Sequence, residues 1–146
     1  MNSVSVTCHT VKVEMRVGPD IIDITRQMLE IIKRSGVVDG TMHATVMGST
    51  GSITTIEHEP GVVKDLKEAV NRLAPPELDY EHEKAWHDGN GHSHVQAALV
   101  GPSLVVPIRR NQLALGTWQQ IVLINHDNRA RQRVVEVTVI GNLTAQ

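Results

Sequence analysis

The stretch VQAALVGPSLVVPIRRNQLALGTWQQIVLINHDNRARQRVVEVTVI, Val95–Ile140, decides the fold. It breaks into short runs rich in β-branched residues, with turn signals between them: Val95–Val100, Leu104–Ile108, Leu113–Leu115, Gln119–Ile124 and Arg133–Ile140. Runs of this kind read as strands. Upstream, residues 3–17 also alternate, but the apolar parity switches from Val4, Val6 and Cys8 to Val11, Val13, Met15 and Val17. Successive strand side chains point to opposite faces, so the switch predicts a bulge or a turn near His9–Thr10. Ile21–Ile24, Thr41–Met47 and Ile53–His58 read as further strands. Two helices interrupt them. One is expected over Thr25–Arg34, with Thr25 as N-cap and Ser35-Gly36 as its end. The other starts at Pro60, carries Val62, Val63, Leu66, Ala69, Val70 and Leu73 along one face, and stops at Pro75-Pro76. The pattern is α+β: a mostly antiparallel, sandwich-like β-sheet with two main helices in the first half, in a single domain over residues 1–146.

Composition narrows the function classes. The chain has no Phe, one Tyr and two Trp, so its core is aliphatic and it lacks stacking platforms for single-stranded nucleic acid. Fourteen basic residues face sixteen acidic ones, without the electrostatic footprint of a duplex binder. No nucleic-acid partner is expected. No apolar run approaches the roughly 20 residues of a membrane span, so no membrane partner is expected either. The N-terminus alternates instead of running apolar, unlike a signal peptide, and the single cysteine, Cys8, suits a reducing compartment. The expected location is cytoplasmic.

Four constellations carry chemistry. The first is Tyr80–His94, YEHEKAWHDGNGHSH, which holds four of the eight histidines. If Gly91–Val95 is extended, His92 and His94 project to one side and present two imidazoles to one ion, with His82, His87 or Asp88 as a third ligand. His82, His92 and His94 are the expected ligand set for a divalent metal, Zn or Mg; the alternative is a hydrated loop whose histidines bond backbone carbonyls. The second is Gly116-Thr117-Trp118-Gln119, read either as backbone held close to a ligand or as a bulge whose Trp covers a core edge. In the third, Arg129, Arg131 and Arg133 share a strand face, suited to phosphate or sulfate or else to pairing with carboxylates. The fourth is Gly48–Ser52 with Glu57, where Ser49 and Thr50 would line an anion-binding nest, or an ordinary loop. Cys8 reads as a buried small hydrophobe, and His9, His43, His58 and His126 as structural or solvent-facing. All three aromatics lie in the first two constellations.

The ordered set GSTGSITTIEHEPG (Gly48–Gly61), YEHEKAWHDGNGHSHVQAALVGPSLVVPI (Tyr80–Ile108) and LALGTWQQIVLINHDNRARQRVVEVTVIG (Leu113–Gly141) resembles the YjbQ family along essentially the whole chain. The forms GST and HDGNGHSH look like its archaeal-type branch. The resemblance implies an α+β fold, a homotrimer with sites between subunits, and a thiamine-phosphate synthase-type transfer between phosphorylated small molecules. On that reading His82, His94, Asp88, Asn90 and Glu57 are catalytic. Gly116, Thr117, Trp118, Gln119, Arg129, Arg131, Ser49 and Thr50 bind substrate. A non-catalytic metal- or anion-binding module and a metal-dependent hydrolase are the alternatives. The chain departs from many bacterial members at Gly48, where they carry His; a role of that His would be missing here or taken by His92.

Overall fold

The computed structural model describes residues 3–143. In chain order its elements are β1 (Val4–Met15), β2 (Asp20–Asp23), α1 (Thr25–Ser35), β3 (Asp39–Val46), β4 (Gly51–Ile56), α2 (Pro60–Leu73), α3 (Glu81–Trp86), α4 (Gly91–Val100), β5 (Ser103–Arg109), β6 (Gln112–Leu113), β7 (Gln120–Asn125) and β8 (Arg131–Asn142). They form two antiparallel sheets, one in the order β1-β8-β3-β5-β6 and one in the order β2-β7-β4. The α+β, mostly antiparallel class read from the sequence is the observed one.

The main core lies between the sheets. Met42, Ala44 and Val46 of β3, Val106 and Ile108 of β5, and Val135, Val137 and Val139 of β8 meet Ile53 of β4 and Ile121 and Leu123 of β7. Met28, Ile31 and Ile32 of α1 pack into the same cluster. Val122 and Ile124, of opposite parity on β7, point to the other face of the three-stranded sheet. There they join Ile21 and are covered by Val63 and Leu66 of α2 and Val100 of α4. The continuous apolar run of β7 is thus buried on both sides within one chain, and it does not call for a second subunit.

Three local expectations need correction. β1 pairs with β8 without interruption from Val4–Asn142 to Met15–Arg131, so there is no bulge at His9–Thr10. The parity switch arises because Val4, Val6 and Cys8 face solvent, while Val11, Val13 and Met15 face the core, so Cys8 is exposed and not the buried small hydrophobe expected. Thr25 is not the N-cap of α1. Its hydroxyl accepts from the backbone N–H of Ile121 at 2.8 Å, tying the helix to β7, and its own N–H donates to Asp23 at 2.9 Å. Val95–Val100 is helical, as the last part of α4, and α3 occupies part of the Tyr80–His94 segment. Gln, Ala and Leu are good helix formers. The buried positions Ser93, Gln96 and Ala97 recur at i, i+3 and i+4, but two of the three are polar, which hides the helical period from a hydrophobicity reading.

Met28 is fully buried and Leu29, its neighbour on α1, is 46% exposed. Met28→Ala is expected to cost about 2–5 kcal/mol by urea unfolding. Leu29→Ala should stay within about 0.5 kcal/mol of wild type.

Candidate functional site

The site forms where three connections meet. β4 begins opposite the end of β7, with Gly51 paired to Asn125, so the loop before β4 lies beside the turn after β7. The N-terminus of α4 is fastened to that turn by Ser93, whose hydroxyl donates to the His126 carbonyl at 2.6 Å. The α3–α4 connection is held by Glu83, whose carboxylate accepts from the N–H groups of Gly89 at 2.7 Å and Gly91 at 2.8 Å. Gly91 is required here because a Cβ would collide with the Tyr80 side chain. The resulting cleft, about 310 Å³, is lined by Ser49, Thr50, His82, Trp86, Asp88, Asn90, His94, Asp127 and Arg131.

A largely buried charge network forms the cleft floor. Asp127 accepts from the Thr50 hydroxyl at 2.9 Å and from Arg131 at 2.9 and 3.0 Å. Arg133 donates to the Thr50 oxygen and to Asn125, both at 2.6 Å. Burial would raise the Asp127 carboxyl, but Thr50, Arg131 and the neighbouring Asn90 amide together hold it below its ordinary value. Arg131 is therefore committed to a carboxylate, and Arg133 to the neutral oxygens of Thr50 and Asn125. Arg129 lies in the exposed turn and offers its carbonyl to Asn125 at 3.0 Å. The Thr50 hydroxyl is likewise already engaged on both sides, which leaves Ser49 as the accessible part of the expected nest.

The histidines separate. In a helix, residues two apart diverge by about 200°, so His92 and His94 face opposite ways. His94 turns into the cleft, its ring 4.3 Å from that of His82. The Nε2 of His82 lies 3.5 Å from Asp88 Oδ1. His92 turns inward, beside the Ser93 hydroxyl at 3.3 Å and the Tyr80 ring. Burial pushes its pKa below the ordinary value against the pull of Asp127 and Glu83. The expected ligand set His82, His92 and His94 is thus not assembled. Among the described residues no group of three or more His, Cys, Asp or Glu side chains is placed to hold a metal ion. His92 is not among the residues that line the cleft. Gly48 has φ +104°, where a side chain is strained, and a Cβ there would lie 3.0 Å from the Arg133 guanidinium.

His126 is the residue whose importance the sequence hid, since it follows an apolar strand and reads as part of a turn. It is fully buried. Its Nδ1 lies 3.0 Å from Gln96 Oε1, and its Nε2 lies 2.7 Å from the Ser52 hydroxyl. Gln96 donates its amide to Asn71 at 3.0 Å and to the Ala74 carbonyl at 3.1 Å, so its oxygen faces His126 as an acceptor. That assigns the proton to Nδ1 and leaves Nε2 to accept from Ser52. The Ser-His-Gln order is that of a hydrolytic relay, but Ser52 is fully buried and the chain of bonds serves to join β4, β7, α4 and α2. Burial, Arg133 and His92 together push His126 down to about 4.

The remaining expected site residues lie elsewhere. β4 and β7 run antiparallel from Gly51–Asn125 to Ile56–Gln120, so Glu57 and Gly116–Gln119 lie at the far end of the sheet. Five residue steps along a strand separate the two ends by roughly 17 Å. There Gln119 closes the turn, accepting from Gly116 N–H at 3.0 Å and donating to Thr55 at 2.9 Å. Thr117, Trp118 and Glu57 are exposed. The expected site residues thus fall into two groups within one chain, with His82, Asp88, Asn90, His94, Ser49, Thr50 and Arg131 in the first.

A two-sheet α+β sandwich with a polar cleft between α3, α4 and the β7–β8 turn is the class that fold and site define. The UPF0047 protein YjbQ-like family matches residues 9–142, and the chain belongs to it. It is 34% identical over 126 residues to a UPF0047 protein of Archaeoglobus fulgidus, covering 86% of this chain and 94% of that one. The YugU protein of Bacillus subtilis is 29% identical, with 90% of this chain and 98% of that one covered. A crystal structure of a protein of unknown function from Sulfolobus solfataricus P2 superposes with a TM-score of 0.91 at 29% identity, covering 95% of this chain and 99% of that one. A hypothetical protein from Aeropyrum pernix K1 gives 0.82 at 30% identity, covering 94% and 98%. These relatives correct the functional expectation. They are known by family or as proteins of unknown function, and they carry no thiamine-phosphate synthase, hydrolase or metal-binding assignment to transfer.

Because His126 is held neutral with a pKa near 4, folding disfavours its protonation. Its contribution is complete above the ordinary 6.5 and is lost as the pH falls from there to about 4, by about 3 kcal/mol. Asp127, held below 3.8, adds its loss only at lower pH. Urea unfolding at pH 7 and pH 4.5 should therefore give a large stability drop in wild type and a clearly smaller one in His126→Gln. Equal drops would refute the assignment.

Proposed function

We propose that the chain is a small-molecule binding protein whose cleft takes a cationic, hydrogen-bond-donating group such as an amine or amidine. One observation carries this. Two buried oxygens of residues lining the cleft, Asn90 Oδ1 and Asp127 Oδ1, have no hydrogen-bond partner among the described residues, and Asp88 Oδ1 has only His82 Nε2 opposite it at 3.5 Å, without a formed hydrogen bond. Unpaired buried acceptors cost about 1–3 kcal/mol each, and a ligand that donates to them recovers that energy. Asp127 and Arg131 offset each other's charge, and Arg133 is engaged by Thr50 and Asn125, so Asp88 is the carboxylate of the cleft without an arginine partner. The unpaired acceptors, more than the net charge, favour a hydrogen-bond donor over a phosphate. Trp86, 72% exposed at the cleft mouth, provides a face for a cation.

A nuclear magnetic resonance titration with acetamidine should move the amide signals of residues 88–94. Asp88→Asn and Asn90→Ala should each weaken that binding at least fivefold while keeping the wild-type fold by circular dichroism. Inorganic phosphate should leave the same signals in place. Shifts with phosphate and none with acetamidine would overturn the reading.

Self-association as the homotrimer implied by the resemblance is a second proposal. Its support is the outer face of the five-stranded sheet, where Val4, Val6, Val105 and Ile140 are 64%, 61%, 62% and 40% exposed. Light scattering should give the mass of three 16.1 kDa chains, and a monomer would refute it. The reducing compartment that the single exposed Cys8 suits supports a cytoplasmic setting. Among the described residues no helix is long and apolar enough to cross a membrane.

A further inference from the structure

A second cleft, about 480 Å³, adjoins the polar one. The two share Ser49 and His94 as lining residues. Beyond that pair the second cleft is lined by Gly48, Gly51, Ala97, Ala98 and Pro102. None of these five side chains carries a charge or a hydrogen-bonding group, and the Arg133 guanidinium behind Gly48 and Gly51 is itself buried. The small side chains make the cleft shallow-walled and roomy enough for one ring or a short alkyl chain. Ala97 and Ala98 come from the same helix whose N-terminal residues bound the polar cleft, so both clefts are built on one rigid element.

We propose that the two clefts form one bipartite site for an amphipathic cation: a donor head among His82, Asp88, Asn90 and Asp127, and an uncharged apolar tail passing between Ser49 and His94 onto Ala97, Ala98 and Pro102. This rests on the reading of the polar cleft given above and adds the chemical class of the whole ligand. Head binding alone leaves the apolar wall wet; a tail of ring size removes it from water, and small apolar contacts of that kind account for about tenfold or more in affinity.

Benzamidine and acetamidine share the amidine head and differ in the tail. Titrated against the wild-type chain by nuclear magnetic resonance, benzamidine should bind at least tenfold more tightly than acetamidine. Its additional shifts should fall on Gly51, Ala97 and Ala98. In Ala98→Leu, at an exposed helical position, benzamidine should fall to the acetamidine level while acetamidine is unchanged. Acetamidine binding without a gain for benzamidine in the wild type would overturn the bipartite site and leave the polar cleft standing. Failure of acetamidine and benzamidine alike would overturn both. A benzamidine gain that survives Ala98→Leu would also overturn it, because the tail would then lie elsewhere.

Discussion

The carboxylate of Asp127 is the point on which the site is built. It is fully buried at the turn between β7 and β8, and it binds Thr50 from the loop before β4 and Arg131 from the start of β8. Arg133, one step further along the same strand face, closes the ring through Thr50 and Asn125. Burying such charges is expensive, and removing one partner leaves the other stranded. The network therefore acts as a lock between the two sheets: strand β8 belongs to the five-stranded sheet, and β4 and β7 belong to the three-stranded one. The cleft floor has its shape because this lock holds the Gly48–Thr50 loop down over Arg133.

The second fastening is neutral. Ser52, His126, Gln96 and Asn71 form a line of hydrogen bonds through the interior, from β4 through β7 to α4 and α2. A neutral imidazole suits this place because it is a donor at one nitrogen and an acceptor at the other, and so passes the line on without burying a charge. The adjacent Arg133 makes a second positive charge there costly. With Glu83 clamping the α3–α4 connection, the helices that frame the cleft are held by polar contacts more than by apolar ones. The two apolar clusters accordingly lie on either side of β7, and the cleft lies at its end.

Legibility varied with how far each residue's environment follows from its neighbours in the chain. β3, β5, β7 and β8 were readable because alternation or continuous β-branched runs reflect burial on one face or two. α2 was readable from the spacing of Val62, Val63, Leu66, Val70 and Leu73. α4 was not, because Ser93 and Gln96, on its buried face, are polar and find their partners in distant segments. That misreading carried a consequence: an extended Gly91–Val95 puts His92 and His94 on one side, and a helix separates them. The switch in β1 misled for the opposite reason, since outward valines on an edge strand look the same in a sequence as inward ones.

The sequence by itself determined the class of fold and the aliphatic core, and it marked the Tyr80–His94 segment as a candidate site. These depend on composition, on short-range periodicity and on a local density of histidines. Only the tertiary structure decided which histidines meet, that the arginines are engaged by Asp127, Thr50 and Asn125, and that Gly116–Gln119 and Glu57 lie a sheet's length from the cleft. Those outcomes depend on strand order and register, which join residues more than seventy positions apart, as Thr50 is joined to Asp127. Pairing at that distance is set by the whole packed sandwich, and no local pattern records it.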